Sequence, residues 1–457
     1  MRVMDVLKTN ATVTIMNWHD GAGLMTTLTL ITYRMLWHLI GLFLPLHLRW
    51  RARQGKEDLS RLRERFGIAS IRRPKGVVFW LHGASVGETV SSLVLAETIL
   101  NQNPEAHVLV TSGTVTSAEM VAQRVTSDRI IHQYHPHDHP RWIERFLDHW
   151  SPDAVVMMEG EIWPNMVILS AKRGRPVAMA SAQMSRQSYQ KWKTYGRWMA
   201  DAIFPCFTTI LAVDLDQSRR FQDLIDDPSK IKIGGSMKAA ASALPDQIEL
   251  REAMVKAADG RQIVLLASSH DQEEDLFIDA ITSINHNNAF FAVIAPRHIG
   301  RGDSIAQMTR TKGGETGQRS QDNLPHADLN WWIADTMGEM GSLIRAADII
   351  VLGGGFAPLG GHNPMEMASL GKGVISGRHV FKNKSIFELL DSHQGVIFAG
   401  NTAELTEAIT LLSASPTALE QLNKGASRTA DAIKTSADET ALTVISLAHP
   451  KPNEARL

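Results

Sequence analysis

Carboxylates recur just past apolar runs in this chain. After the run 77–81 comes His82-Gly83-Ala84-Ser85-Val86-Gly87-Glu88, with Ser85 and Glu88 at S-x-x-E spacing. That spacing makes a capping box in which Glu88 returns to the Ser85 N–H. At the mouth of a ligand cleft the same carboxylate suits a general base, with partial desolvation raising its pKa. Spacing alone leaves both readings open. After the run 154–158 comes Glu159-Gly160-Glu161-Ile162-Trp163-Pro164-Asn165. Acids favour a helix N-terminus, which accounts for one of the two carboxylates and less easily for both.

The second half repeats the pattern. Ser269-His270 with Glu273-Glu274, Pro296-Arg297-His298 and Asp335-Thr336-Met337-Gly338-Glu339 each close an apolar run. Arg297 presents a fork of donors suited to phosphate, and Glu339 and Glu366 offer acceptors to a ribose or base. Residues 348–371 read as a buried strand, a loop with Gly353, Gly354, Gly355, Gly360 and Gly361, and a helix. Asn363 as N-cap and Pro364 at the first helical position would point N–H groups and the positive dipole end at that loop, a place for an anion or nucleotide. A plain turn between strand and helix explains the glycines equally well. No G-x-G-x-x-G opens a helix, and Gly371-Lys372-Gly373 lacks the remainder of a P-loop.

Other groupings carry less. The run His132-Gln133-Tyr134-His135-Pro136-His137-Asp138-His139 contains metal-ligand types but no helical i, i+4 pair, and reads as a strand exit. Asp214-Leu215-Asp216 spells D-x-D yet precedes a basic helical pattern, and reads as a helix start. Cys206 is the only cysteine, which excludes an intrachain disulfide and a multi-cysteine metal site. A net charge of −1 gives no reason to expect nucleic acid as a partner.

The elements that must position these residues alternate. Apolar runs at 77–81, 106–110, 129–134, 154–158, 176–180 and 210–213 are separated by segments long enough for crossover helices. A second series follows at 263–267, 290–295, 331–334, 349–352, 373–376 and 396–399. This is the signature of two doubly wound α/β units, with a cleft expected between them and ligands at carboxyl ends of strands. Residues 24–48 are mostly apolar but broken by Arg34, His38 and His47, with Arg49, Arg51, Arg53 and Lys56 following. A poor transmembrane anchor, an interfacial helix and a helix packed on the protein itself all fit. The expected division is an extension at 1–23, a membrane-associating segment at 24–56, and domains at 57–240 and 241–457.

Together these segments resemble the 3-deoxy-D-manno-octulosonic acid (Kdo) transferases of lipopolysaccharide synthesis. The matching pieces are Glu64-Arg65-Phe66-Gly67, Ser85-Val86-Gly87-Glu88, Glu159 to Asn165, Ser269-His270 with Glu273-Glu274, Pro296 to His298, Asp335 to Glu339, and Gly360-Gly361-His362-Asn363-Pro364-Met365-Glu366. The resemblance implies a GT-B fold and inverting transfer of Kdo from CMP-Kdo to a lipid A precursor. It implies no cofactor and no metal, and an inner-membrane surface faced from the cytoplasmic side. It makes Glu88 the general base and gives Glu159 and Lys238 the stabilisation of the transition state. It assigns CMP to Pro296, Arg297, Met337, Gly338, Glu339, Asn363, Pro364, Met365 and Glu366. The chain departs from the family pattern at Gly160, at Gly235-Ser236-Met237-Lys238 and at Ser181-Ala182-Gln183-Met184-Ser185. Those departures concern the acceptor side, and leave the exact acceptor and the number of sugars open. A GT-B transferase with another donor or acceptor, or a non-catalytic nucleotide- or lipid-binding protein, are the alternatives.

Overall fold

The computed structural model describes residues 21–240, 244–321 and 324–448, so the extension expected at 1–23 lies almost wholly outside the described residues. The described residues form two compact units, one of 21–240 together with 436–448, the other of those from 244 to 435.

In the first unit, β1 (Val78–His82), β2 (His107–Ser112), β3 (Ile130–Tyr134), β4 (Ala154–Met158), β5 (Val177–Ala182), β6 (Thr209–Ala212) and β7 (Ile231–Ile233) form one parallel sheet in the order β3-β2-β1-β4-β5-β6-β7. The second unit has β8 (Gln262–Ser269), β9 (Phe290–Pro296), β10 (Thr316–Gln318), β11 (Trp331–Ile333), β12 (Ile349–Leu352), β13 (Val374–Ser376) and β14 (Val396–Phe398), ordered β10-β11-β9-β8-β12-β13-β14 and again all parallel. Helices cover both faces of such sheets, so central strands such as β1 and β4 are buried at every residue and read in the sequence as unbroken apolar runs. The two strands that the sequence does not announce, β7 and β10, have three residues each and stand at sheet edges. Ile-Lys-Ile and Thr-Gly-Gln carry too little apolar surface to stand out.

Strand order reverses between β1 and β4 in the first sheet and between β8 and β12 in the second. At such a reversal the loops after the two strands leave in opposite directions and open a crevice at their carboxyl ends. The connection after β1 leads into the helix whose first turn carries Glu88, the loop after β4 carries Glu159, and those after β8 and β12 carry His270 and the glycines.

The last helix, Pro416–Ala448, differs from expectation. The sequence reading places the whole tail in the second domain, but from Ser436 it belongs to the first unit. Ala437, Ala441 and Val444 are buried in the same cluster as Leu93, Ile99 and Val108, and Thr440 and Ser436 donate to the Gly234 carbonyl at 2.8 and 3.0 Å.

The first helix, α1 (Gly21–Arg53), is the one described helix long and apolar enough to cross a membrane. Its polar residues, which break the apolar run in the sequence, are its attachment to the first unit. The Tyr33 hydroxyl donates to Asp138 Oδ2 at 2.8 Å, Arg34 Nε donates to Asn165 Oδ1 at 3.0 Å, and His38 Nδ1 meets His139 Nε2 at 3.0 Å. At Gly41 a Cβ would stand 2.9 Å from the His139 ring, so glycine lets the helix lie close. Residues 34, 38, 41 and 48 share this face at helical spacing, and Leu48 is 2% exposed. The opposite face is Met35, Leu39, Leu42, Phe43, Leu46 and Trp50, all exposed.

Asp138 anchors this contact. Besides Tyr33 it accepts the Asn165 and Met166 N–H groups at 2.9 and 2.8 Å. Burial pushes its carboxyl up to about 7, against the pull of those hydrogen bonds. Asp138→Ala would strand three donors and is expected to destabilise the first unit by about 3 kcal/mol, at one to a few kcal/mol per orphaned buried group offset by relaxation. Limited trypsin digestion should then cut within α1 far faster than in the parent. An unchanged digestion pattern would remove Asp138 from the anchoring role.

Candidate active site

At the reversal in the first sheet, Ser85 caps the helix α2 (Val86–Gln102). The capping box expected from the spacing is present: the Ser85 N–H donates to Glu88 Oε2 at 2.9 Å, and the Glu88 N–H donates to Ser85 Oγ at 3.4 Å. Glu88 remains half-buried. The capping contact therefore orients the carboxylate and leaves it partly open to solvent.

Glu159 follows β4 directly and takes a positive φ of 57°, a conformation that side chains other than glycine adopt at a cost. Its N–H donates to the Ala180 carbonyl at 2.8 Å. Ser91 Oγ, from α2, donates to Oε1 at 3.0 Å, and Gln183 Nε2, past β5, donates to Oε2 at 2.9 Å. Both oxygens are thus held by side chains from other parts of the unit; no motif in the sequence marks Ser91, whereas Gln183 stands in the segment 181–185 where the chain departs from the family pattern. Glu161 accepts the Trp163 indole N–H at 2.9 Å. Burial raises its carboxyl above the usual range, and the charges of Glu88 and Glu159 raise it further. That mutual influence places the three carboxylates in one neighbourhood.

Lys238 belongs to the same neighbourhood. A Cβ on Gly87 would stand 3.9 Å from Lys238 Nζ, which puts the ammonium beside the first turn of α2. Met237, before it, is 1% exposed, and its N–H donates to Ser181 Oγ at 2.8 Å, so the segment is pinned while Lys238 faces outward. The first unit thus gathers Glu88, Glu159 and Lys238 from three separate strand ends.

In the second unit the glycine loop departs from expectation. The helix after it, Met365–Ala368, has four residues and begins one residue later than the sequence suggests. Pro364 takes the N-cap place, and the Met365 N–H donates to Asn363 Oδ1 at 3.1 Å. One turn carries little of a helix dipole. The loop N–H groups, moreover, already have an anion. Glu273, 1% exposed, accepts the Gly354 N–H at 2.8 Å and the Phe356 N–H at 3.0 Å, and the His270 N–H at 3.1 Å. Gly354, Gly360 and Gly361 all take positive φ. Gly361 N–H returns to the Gly354 carbonyl at 2.7 Å and closes the loop on itself.

Around the closed loop stand four residues named from the sequence, His270, His362, Arg297 and Glu366. His270 and His362 stack with ring centroids 5.0 Å apart and their Nε2 atoms 2.9 Å apart. Burial lowers the His362 imidazole to about 4, helped by His270 and Arg297. Burial raises the Glu366 carboxyl, opposed by Arg297. Arg297 follows the buried Pro296 at the end of β9, is itself exposed, and exerts its field on both His362 and Glu366. Arg297, Asn363 and Glu366 thus converge from β9 and β12.

Met337 and Gly338 are exposed, with Gly338 at φ 87°. Glu339 behaves differently from the expected ribose or base acceptor. It is 6% exposed, receives Arg319 Nε and a second Arg319 nitrogen at 2.9 and 2.8 Å on Oε1, and takes the Thr336 hydroxyl on Oε2. Its carboxylate fixes the turn that presents Met337 and Gly338. Arg319 sits too far along the chain for any spacing rule to have found it.

The histidine run disperses. His132 Nδ1 faces Arg61 at 3.2 Å while its Nε2 meets Ser112 Oγ at 2.9 Å, and His135 Nδ1 faces the Pro136 carbonyl at 2.9 Å. Asp214 caps a helix, accepting the Gln217 N–H at 2.8 Å.

Two parallel α/β units, each with its polar loops at the reversal of strand order, define a glycosyltransferase fold of the GT-B class. A glycosyltransferase from Rickettsia africae superposes with a TM-score of 0.55 at 10% identity, covering 83% of this chain and 100% of that one. Residues 60–241 match the family described as 3-deoxy-D-manno-octulosonic-acid transferase (kdotransferase). The probable mitochondrial 3-deoxy-D-manno-octulosonic acid transferase of Arabidopsis thaliana is 31% identical over 85% of this chain and 89% of its own. The 3-deoxy-D-manno-octulosonic acid transferase of Haemophilus influenzae is 28% identical over 84% and 88%. The chain belongs to the Kdo transferase family, and it is a glycosyltransferase.

The buried imidazoles of the first unit set an acid limit. Burial lowers His82 and His139 to about 4 and His132 and His137 to about 3, and His135 falls well below its ordinary value. Each takes up a proton more readily unfolded, near pH 6.5, so its contribution to stability is present above that pH and lost as pH falls toward its folded value. Asp138, raised to about 7, works in the opposite sense between pH 7 and its unfolded value, but it is one group against five. The melting midpoint is therefore expected to fall on the order of 5–10 °C between pH 7.5 and pH 5. Scanning calorimetry that finds an equal or higher midpoint at pH 5 would contradict this.

Proposed function

We propose that this Kdo transferase takes Kdo from CMP-Kdo and passes it to a lipid A precursor in lipopolysaccharide synthesis, with inversion and without a divalent ion. The observation that carries the reading is the gathering of Glu88, Glu159 and Lys238 at the β1/β4 reversal. Glu88, with Oε2 taken by the Ser85 N–H, offers Oε1 to the proton of an acceptor sugar hydroxyl. The hydroxyl oxygen attacks the anomeric carbon from the face opposite the phosphate. The bond to the CMP phosphate oxygen breaks, and its electron pair leaves with CMP.

Charge develops in two places during this step. Positive charge grows at the anomeric carbon, where Glu159, held rigid by Ser91 and Gln183, supplies a fixed carboxylate. Negative charge grows on the leaving phosphate, and Lys238 is given the stabilisation of that charge. In the second unit Pro296 and Arg297 hold the phosphate side of CMP. The Met337-Gly338 turn, fixed by Glu339, offers backbone groups to the base. Asn363, Pro364 and Met365 carry Glu366 toward the ribose hydroxyls. Glu366, its carboxyl raised by burial and opposed by the field of Arg297, is an acceptor for such a hydroxyl.

The apolar face of α1 lies, in this reading, on the cytoplasmic surface of the inner membrane. Its polar face is committed to Asp138, Asn165 and His139, which favours a helix in the plane of the interface over one that crosses it. Arg49, Arg51, Arg53 and Lys56 then stand where anionic headgroups attract them.

Purified protein with CMP-Kdo and the lipid A disaccharide precursor should give a product heavier by one or more Kdo units, read by mass spectrometry. Glu88→Ala is expected to lower transfer by at least about 10²-fold, the usual worth of a general base, with CMP affinity unchanged. Full turnover by that variant would refute the base assignment, and a clear preference for a UDP-sugar would refute the donor.

A further inference from the structure

We propose that a cavity between the C-terminal half of α1 and the first sheet binds a phosphate monoester carried by an amphiphile. The cavity encloses about 290 Å³, with Leu44, Leu48 and Arg51 of α1 on one side and Glu57, Arg65 and His137 on the other.

Its charge is uneven. Glu57 accepts Arg51 Nε at 3.0 Å on one oxygen, and Arg65 Nε and a terminal Arg65 nitrogen at 3.0 and 2.8 Å on the other. One carboxylate thus serves two guanidinium groups, and one positive charge is left uncancelled. The Arg65 side chain is 2% exposed. One of its terminal nitrogens also donates to the Gly113 carbonyl at 2.6 Å, while the other, NH1, is buried and has no hydrogen-bond partner. Nε2 of His137 is likewise buried and without a partner.

A buried donor left unpaired is costly, and native proteins hold few. The unpaired Arg65 donor, with the unpaired His137 nitrogen and an uncancelled guanidinium beside it, is unfavourable for folding alone and, with the His137 proton on Nε2, complementary to an oxyanion. The three terminal oxygens of a phosphate monoester can meet Arg65, His137 and Arg51 together, which a flat carboxylate does less well. After burial, Arg65, Arg51 and His47 are the groups that hold His137 down to about 3, the same positive field an anion would enter. Leu44 and Leu48 give the cavity an apolar wall, and the outer face of α1 is apolar along its length. Both features suit a phosphate attached to acyl chains. The site also adjoins the connection that leads into the helix bearing Glu88, since the Gly113 N–H donates to the Ala84 carbonyl at 2.9 Å.

Two amphiphiles present that group, the acceptor of the reaction and a membrane phospholipid. Only the acceptor source rests on the transfer reading above. Isothermal titration of the full chain in neutral micelles with dihexanoyl phosphatidic acid, with dihexanoyl phosphatidylcholine as control, tests the site without turnover. Binding of the monoester and not the control is expected, with Arg51→Gln and His137→Phe each weakening it about tenfold. Leu44→Trp, which fills the cavity from a half-exposed position, should abolish it, with melting and CMP binding unchanged. Equal binding of both lipids, or parent-like affinity in the three variants, would overturn the proposal. The source follows from Arg51→Gln. A raised acceptor KM at constant kcat, absent with a dephosphorylated acceptor, assigns the acceptor. An unchanged KM with weaker partition onto vesicles containing phosphatidic acid assigns the phospholipid.

Discussion

A parallel sheet covered on both faces admits few polar side chains along its strands, because a buried donor or acceptor without a partner is costly. In this chain β1 and β4 are buried throughout, and so is β12. Polar chemistry is therefore displaced to where strands end, and strand order decides which ends stand together. The β1/β4 and β8/β12 reversals bring into proximity carboxylates and imidazoles that lie about seventy to ninety residues apart in the chain. Each unit uses the same geometry for different chemistry. The first gathers acids with a lysine, and the second surrounds a glycine loop with imidazoles, Arg297 and Glu366.

Much of this organisation is legible in the sequence for a simple reason. Runs such as 154–158 and 349–352 coincide with β4 and β12 because burial on both sides demands continuous apolar residues. The capping box at Ser85 and Glu88 is local, so spacing suffices to find it. The pairing of Glu159 with Ser91 and Gln183 was hidden because they lie 68 and 24 residues away along the chain. The glycine loop shows a sharper limit. Its glycines were expected, whereas the occupant of its N–H groups is Glu273, 81 residues before Gly354. Glu339 illustrates the same point, since its carboxylate is committed to Arg319 rather than open to a ligand.

Local pattern was also misleading where two environments meet on one helix. Arg34 and His38 read as interruptions of an apolar stretch, yet they are the contacts that bind α1 to the first unit. At the other end of the chain, Ala437, Ala441 and Val444 give a weak stripe that could cover either sheet. Small residues permit close packing without specifying the partner.

The polar side of α1 faces the protein and its apolar side faces outward, the reverse of an ordinary surface helix. Hydrogen bonds such as that from Tyr33 to Asp138 strengthen as the surrounding dielectric falls, because water competes less for their ends. An apolar medium against Phe43 and Leu46 would thus relieve the exposed surface and tighten the polar seam beneath it at once. Attachment of the helix to the domain and attachment of the domain to such a medium are then thermodynamically coupled, each raising the affinity of the other.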